Sequence, residues 1–184
     1  PAVVLLDADS RPVRRSIQQS DGRVGAEVAA LRREVDEAAF LARTGNGINQ
    51  QLVATKLRWL AAHEPDALAR ARSLCGSYDL VVRRLTGRPS LERNWALESG
   101  FYDLRAGDLA DDLVALGGID RSLLSPVRDG HEVVGGVTAA AAAHTGLAPG
   151  TPVVAGCADH VASAFVAGIA APGRPVVLFT GDGG

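Results

Sequence analysis

Apolar residues run without interruption from Ala2 to Leu6 and again from Val176 to Phe179. Unbroken apolar runs of this length predict strands buried on both faces. Between them the spacing changes to that of helices. Val24, Val28, Leu31, Val35 and Ala39 recur on one face, with Arg32, Arg33, Glu34 and Glu37 opposite. That pattern predicts one amphipathic helix ending near Gly45. Asn49 is placed to cap a second helix carrying Val53, Leu57, Leu60 and Ala61, with Trp59 beside them, and Pro65 breaks it. A short helix is expected over 66–72. Another is expected from Ser77 as cap, through Leu80, Val81, Arg84 and Leu85, to a stop at Gly87. Residues 108–116 look helical and end at Gly117-Gly118. The stretch 131–137 suits a strand edge with a Gly-Gly kink, and Thr138 caps an alanine-rich helix that stops at Thr145-Gly146.

The stretch from Pro152 to Gly168 carries the chemistry. Val153, Val154 and Ala155 follow a Gly-Thr-Pro turn and predict a short buried strand. Gly156 lets the backbone turn, and Asp159 then occupies a helix N-cap position ahead of Val161, Ala164, Phe165 and Gly168. A carboxylate just past a strand's C-terminal end points into the crevice where open α/β sheets bind ligands. The helix dipole favours the anion there, which suits a proton acceptor. A plain helix cap satisfies the same local pattern.

Composition narrows the classes. A chain of 184 residues with net charge −2 fits one domain, or one with a small appendage. Basic residues alternate with acidic ones, so no nucleic-acid stripe forms. No apolar run reaches membrane-spanning length and no signal peptide is evident. The two cysteines, Cys75 and Cys157, lack metal-ligand spacing and argue for a reducing, cytoplasmic compartment. His160 alone of the four histidines adjoins a candidate acid; His63, His131 and His144 read as surface residues. Asp7 and Asp9 leave the first strand, where acids either meet a polar ligand or end the strand in solvent. Thr180-Gly-Asp-Gly-Gly184 offers exposed backbone N–H groups to a phosphate, or makes a hairpin turn. The chain opens at Pro1 on one core run and closes at Gly184 after another, which reads as a piece of a longer protein.

Several motifs, in order, give the chain a resemblance. Thr145-Gly-Leu-Ala-Pro-Gly-Thr-Pro-Val-Val-Ala-Gly-Cys-Ala-Asp159 is similar to the T-G-L-x-x-G-T-P-V-x-x-G-x-x-D segment of the FGGY family of carbohydrate kinases. Lys56-Leu-Arg-Trp-Leu resembles its K-L-x-W-L helix. Asp79-Leu-Val-Val-Arg-Arg-Leu-Thr-Gly87 resembles D-Y-L-x-x-x-L-T-G, and Asn94 to Asp103 resembles the segment that follows. Pro1 to Asp7 resembles the strand P-A-I-L-W-x-D-x-R, with Leu5 in place of its Trp and Asp9 in place of its Arg.

The resemblance implies an α/β fold: an incomplete ribonuclease H-like, actin-like ATPase domain with helical insertions. Residues 1–184 would be the larger part of the N-terminal, sugar-side domain, lacking the family's first hairpin with its D-x-G-T motif and its C-terminal nucleotide domain. It implies ATP-dependent phosphorylation of a sugar or polyol, ketopentoses favoured, with Asp159 as general base. His160, in place of the family's Asn or Gln, and Asp7 would bind substrate. Gly181 and Gly183 would contact phosphate, in a Gly-Asp-Gly-Gly where the family has G-T-S-G or G-T-G; Asp182 there replaces a hydroxyl donor with a negative charge. ATP, Mg2+ and a homodimer follow from the same likeness, whereas nucleic acid and membrane do not. The isolated chain is expected to be inactive. The alternative is a non-catalytic sugar-binding or assembly module, either an inactive fragment or a diverged pseudokinase.

Overall fold

Val4–Leu6 forms β1, buried at every position as its unbroken apolar run requires. The computed structural model describes residues 1–168 and Gly173. The expected strand at 176–179 and the glycines Gly181 and Gly183 lie outside the described residues. Beside β1 runs an extended arm, bridged at Val3 to Ile17 and at Leu6 to Pro12. On the other side lies β2 (Ser73–Cys75), antiparallel and paired Val4 to Cys75 and Leu6 to Ser73. Leu74 then bridges in parallel to Leu124. Three residues are too few to show a period, so sequence pattern alone did not reveal β2.

The long helix expected from Val24 to Gly45 is two helices, α1 (Gly25–Glu34) and α2 (Glu37–Thr44). Val35 is extended, and the Asp36 carboxylate accepts the N–H groups of Ala38 and Ala39 at 2.9 and 3.1 Å. An Asp that caps from inside an apolar repeat restarts the helix, and the repeat alone does not show it. Next come α3 (Val53–His63) and α4 (Pro65–Arg70). Pro65 ends α3 and also begins α4, where its missing N–H costs nothing. Asn49 accepts from Gln51 N–H rather than capping α3, whose N-cap is Leu52.

Helix α5 (Ser77–Thr86) starts one residue after its N-cap, Gly76, and ends at Gly87 as expected. Then follow β3 (Leu91–Glu92), α6 (Arg93–Ser99), β4 (Tyr102–Asp103), β5 (Asp108–Leu109) and α7 (Asp111–Ala115). The helix expected over 108–116 therefore covers only its second half; Asp108 and Leu109 pair antiparallel with β4. Strand β6 (Val127–Arg128) runs parallel to β3. Strand β7 (Val133–Gly136), helix α8 (Ala139–Thr145), strand β8 (Pro152–Val154) and helix α9 (Asp159–Val166) complete the described chain. Thr138 caps α8 as read from the sequence, accepting from Ala141 N–H at 3.2 Å.

One apolar core joins β1, β2, α1, α2, α3 and α6 around Leu5, Leu6, Leu57, Leu60, Leu74, Trp95 and Phe101. A smaller cluster of Val82, Val134 and Ala155 seats the β7–β8 ladder on α5. Among the described residues the expected buried strand before Asp159 is not part of the main core. Strand β8 pairs antiparallel with β7, and Val154 is 45% exposed. No helix among the described residues is long and apolar enough to cross a membrane.

Candidate functional site

Asp159 opens onto a cleft of about 860 Å³ between the start of α9, the N-terminal end of α5, the C-terminal part of α6 and the arm beside β1. Its side chain is fully exposed and its Oδ1 accepts the His160 N–H at 2.8 Å. The N-cap is Ala158, so Asp159 is the first helical residue and its carboxylate is not consumed in capping. The loop before it is pinned by backbone bonds from Ala155 N–H to Glu132 and from Gly156 N–H to Gly130, both 3.0 Å. The two glycine segments lie so close that a Cβ on Gly130 would stand 2.3 Å from the Gly156 carbonyl oxygen. Only glycine fits there. Beyond Asp159, α9 leaves Phe165 and Val166 exposed among the described residues, so the apolar face expected to pack is open.

His160 joins Asp159 in the cleft. Its Nδ1 lies 3.7 Å from Asp159 Oδ1 and its Nε2 3.8 Å from Glu98 Oε1. Gln18, Gln19, Ser20, Gln51, Ser77 and Tyr78 supply the rest of the polar lining. Asp7 does not line it. Its Oδ1 accepts the N–H groups of Asp9 and Arg11, each at 2.9 Å, and closes the turn between β1 and the arm. On that arm the Asp21 and Arg23 side chains pair at 2.8 and 2.9 Å. Arg23 also lies 4.7 Å from the ring centre of Trp59, which stacks on His63.

Behind the lining, buried polar groups hold it in place. Lys56 is completely buried and donates to the Pro1 carbonyl at 2.9 Å and, more weakly, toward the Gln51 carbonyl at 3.4 Å. Burial lowers its pKa from 10.5 to about 8, opposed by attraction to Asp21. Asp79 anchors α5 by accepting Gly76 N–H at 2.9 Å and Glu92 N–H at 2.8 Å. Burial nevertheless raises its pKa from 3.8 to about 7. Glu92 is buried as well; it caps α6 through the N–H groups of Asn94 and Trp95 and accepts from Tyr78 OH at 3.3 Å. Burial, then the charges of Glu92 and Asp79, pushes the Tyr78 phenol far up, so it remains a neutral hydroxyl donating to Glu92.

Of the residues expected from the sequence, Asp159 and His160 line the cleft; Gln18, Gln19, Gln51, Tyr78 and Glu98 line it too and were not expected. Their signal was present in part, since Tyr78 adjoins Asp79 and Glu98 lies within the quoted Asn94–Asp103 segment. Cys157 is exposed at the cleft edge, and Cys75 is buried with its pKa pushed up to about 12. Among the described residues no group of three His, Cys, Asp or Glu side chains is placed to hold a metal ion. The magnesium implied by the resemblance thus finds no such cluster there.

The sequence profile of the FGGY family of carbohydrate kinases, N-terminal domain, matches residues 2–166. An autoinducer-2 kinase of Klebsiella pneumoniae is 32% identical over 96% of this chain and 33% of its own length. The L-xylulose/3-keto-L-gulonate kinase of Escherichia coli is 32% identical over 90% of this chain and 34% of its own. The crystal structure of xylulose kinase from Rhodospirillum rubrum superposes with a TM-score of 0.92 at 57% identity, covering 94% of this chain and 36% of that one. The chain spans about a third of the length of the curated relatives it matches.

Proposed function

The chain belongs to the FGGY family of carbohydrate kinases, with an actin-like ATPase fold, and on that footing we propose that the protein containing it transfers a phosphoryl group from ATP to a hydroxyl of a sugar or polyol, ketopentoses favoured. The observation that carries this reading is the uncommitted Asp159 carboxylate at the mouth of a cleft lined by amide and hydroxyl groups. The cleft's size is that of a small-molecule site.

In this reading the substrate hydroxyl oxygen attacks the γ-phosphorus in line. The new O–P bond forms as the bond to the ADP oxygen breaks, and the hydroxyl proton passes to the Asp159 carboxylate. Phosphoryl transfer asks little covalent help of a protein beyond position and charge. His160 hydrogen-bonds the sugar, the Gln18, Gln19 and Gln51 amides read neighbouring hydroxyls, and Gly181 and Gly183 meet phosphate. Magnesium, where bound, neutralises phosphate charge. Asp7, fixed in its turn, is left a structural role. A cytoplasmic location and a homodimer go with the family likeness.

The test is ADP release by the full-length protein with ATP and a panel of ketoses and polyols. Turnover of at least one panel member, with product phosphorylated at a hydroxyl, supports the reading. Sugar binding without any ADP release would instead make this a non-catalytic module.

A further inference from the structure

Glu98 stands in the cleft without an assigned task. It lies near the C-terminal end of α6, half-exposed, with Oε1 3.8 Å from His160 Nε2 and Oε2 3.8 Å from the Pro1 nitrogen. The position of Glu98 is fixed from both sides. Glu92 caps α6, Trp95 anchors it in the core, and α6 ends at Gly100 in a left-handed conformation (φ 82°) where a Cβ would meet Leu52 at 2.9 Å. The other polar lining side chains, Gln18, Gln19, Ser20, Gln51, Ser77 and Tyr78, carry no charge. Among the described lining residues, therefore, two carboxylates face the cleft and no Lys or Arg does.

We propose that Glu98, paired with His160, is the specificity-determining residue of this site: it selects neutral polyhydroxylated substrates and rejects those bearing a carboxylate. The carboxylate accepts from one sugar hydroxyl while His160 serves its neighbour, so a vicinal diol satisfies both. An aldonate brings a like charge to the same place, with no Lys or Arg among the described lining residues to receive it. Across a few ångströms, at effective dielectrics between about 20 and that of water, such a contact is worth roughly tenfold or more in affinity. This inference rests on the sugar-site reading of the cleft.

The test titrates D-xylulose, xylitol and D-xylonate into the full-length protein and its Glu98→Gln variant by calorimetry, with ADP release measured in parallel. Wild type is expected to bind xylulose or xylitol at least about tenfold more tightly than xylonate. In Glu98→Gln that ratio should fall by about tenfold, because xylonate gains while the neutral ligand loses a charged acceptor. The half-exposed site tolerates this isosteric change, and a circular dichroism spectrum matching wild type verifies the fold. An unchanged ratio overturns the filter even if turnover is normal, and so does absence of binding by all three ligands. A shifted ratio without ADP release keeps the filter and refutes the kinase reading.

Discussion

The indole N–H of Trp95 donates to the carbonyl of Ala2 at 2.9 Å, joining α6 to the start of β1 inside the core. Trp95 is completely buried, and Ala2 is one wall of the cleft. The bond therefore ties the helix that carries Glu98 to the strand beside it. Trp95→Phe keeps the ring but leaves the Ala2 carbonyl without its donor. Loss of one partner from a buried pair costs about 1–3 kcal/mol, and the smaller ring adds a cavity. Urea unfolding should show a lower midpoint at unchanged slope; a variant as stable as wild type would contradict the anchor.

The folded Asp79 carboxyl holds its proton to about pH 7, whereas an ordinary Asp loses it near 3.8. The folded state thus binds more protons than the unfolded state between those values. Stability from this group is complete below pH 4 and is lost as pH rises toward 7. The rise is equivalent to roughly 4 kcal/mol at most, and Glu92, raised chiefly by burial, acts in the same direction. Urea midpoints taken from pH 4.5 to 7.5 should fall for wild type. Asp79→Asn should vary less across the range, because an amide does not titrate. Equal slopes in the two proteins would refute the assignment.

Gly130→Ala places a methyl against the Gly156 carbonyl and must displace the loop that delivers Asp159. Misplacement of a catalytic group by about 1 Å can cost up to 10²-fold in rate. Turnover by the full-length protein should fall at least about tenfold, while global stability changes by only about 1–2 kcal/mol. Full activity in this variant would show that the loop is free to adjust.

Elements with long periods or clear stops were legible in the sequence. Thr138, Gly87 and Gly146 mark their helix ends where a cap or a glycine was read, and β1 is buried as its unbroken run requires. The errors arose where tertiary contacts decide. Asp36 looked like one more polar residue within an apolar repeat, yet its two cap bonds divide the helix. Val153 and Val154 looked like core, but their strand pairs only with β7 among the described residues and stays half-open. Of the cleft's lining, Asp159 and His160 were legible, because they sit in one continuous motif. Glu98 and Gln51 were not, because they reach the cleft from separate helix ends and nothing local marks a side chain that faces a cavity.

Asp159→Asn in the full-length protein puts the central claim to its most direct test. The exposed side chain makes the exchange neutral to the fold, and the amide still hydrogen-bonds but accepts no proton. With ATP and the best sugar of the panel, kcat should drop by about 10²–10⁴ while the sugar's dissociation constant stays within about threefold of wild type. Turnover at the wild-type rate would contradict the role of Asp159 as general base.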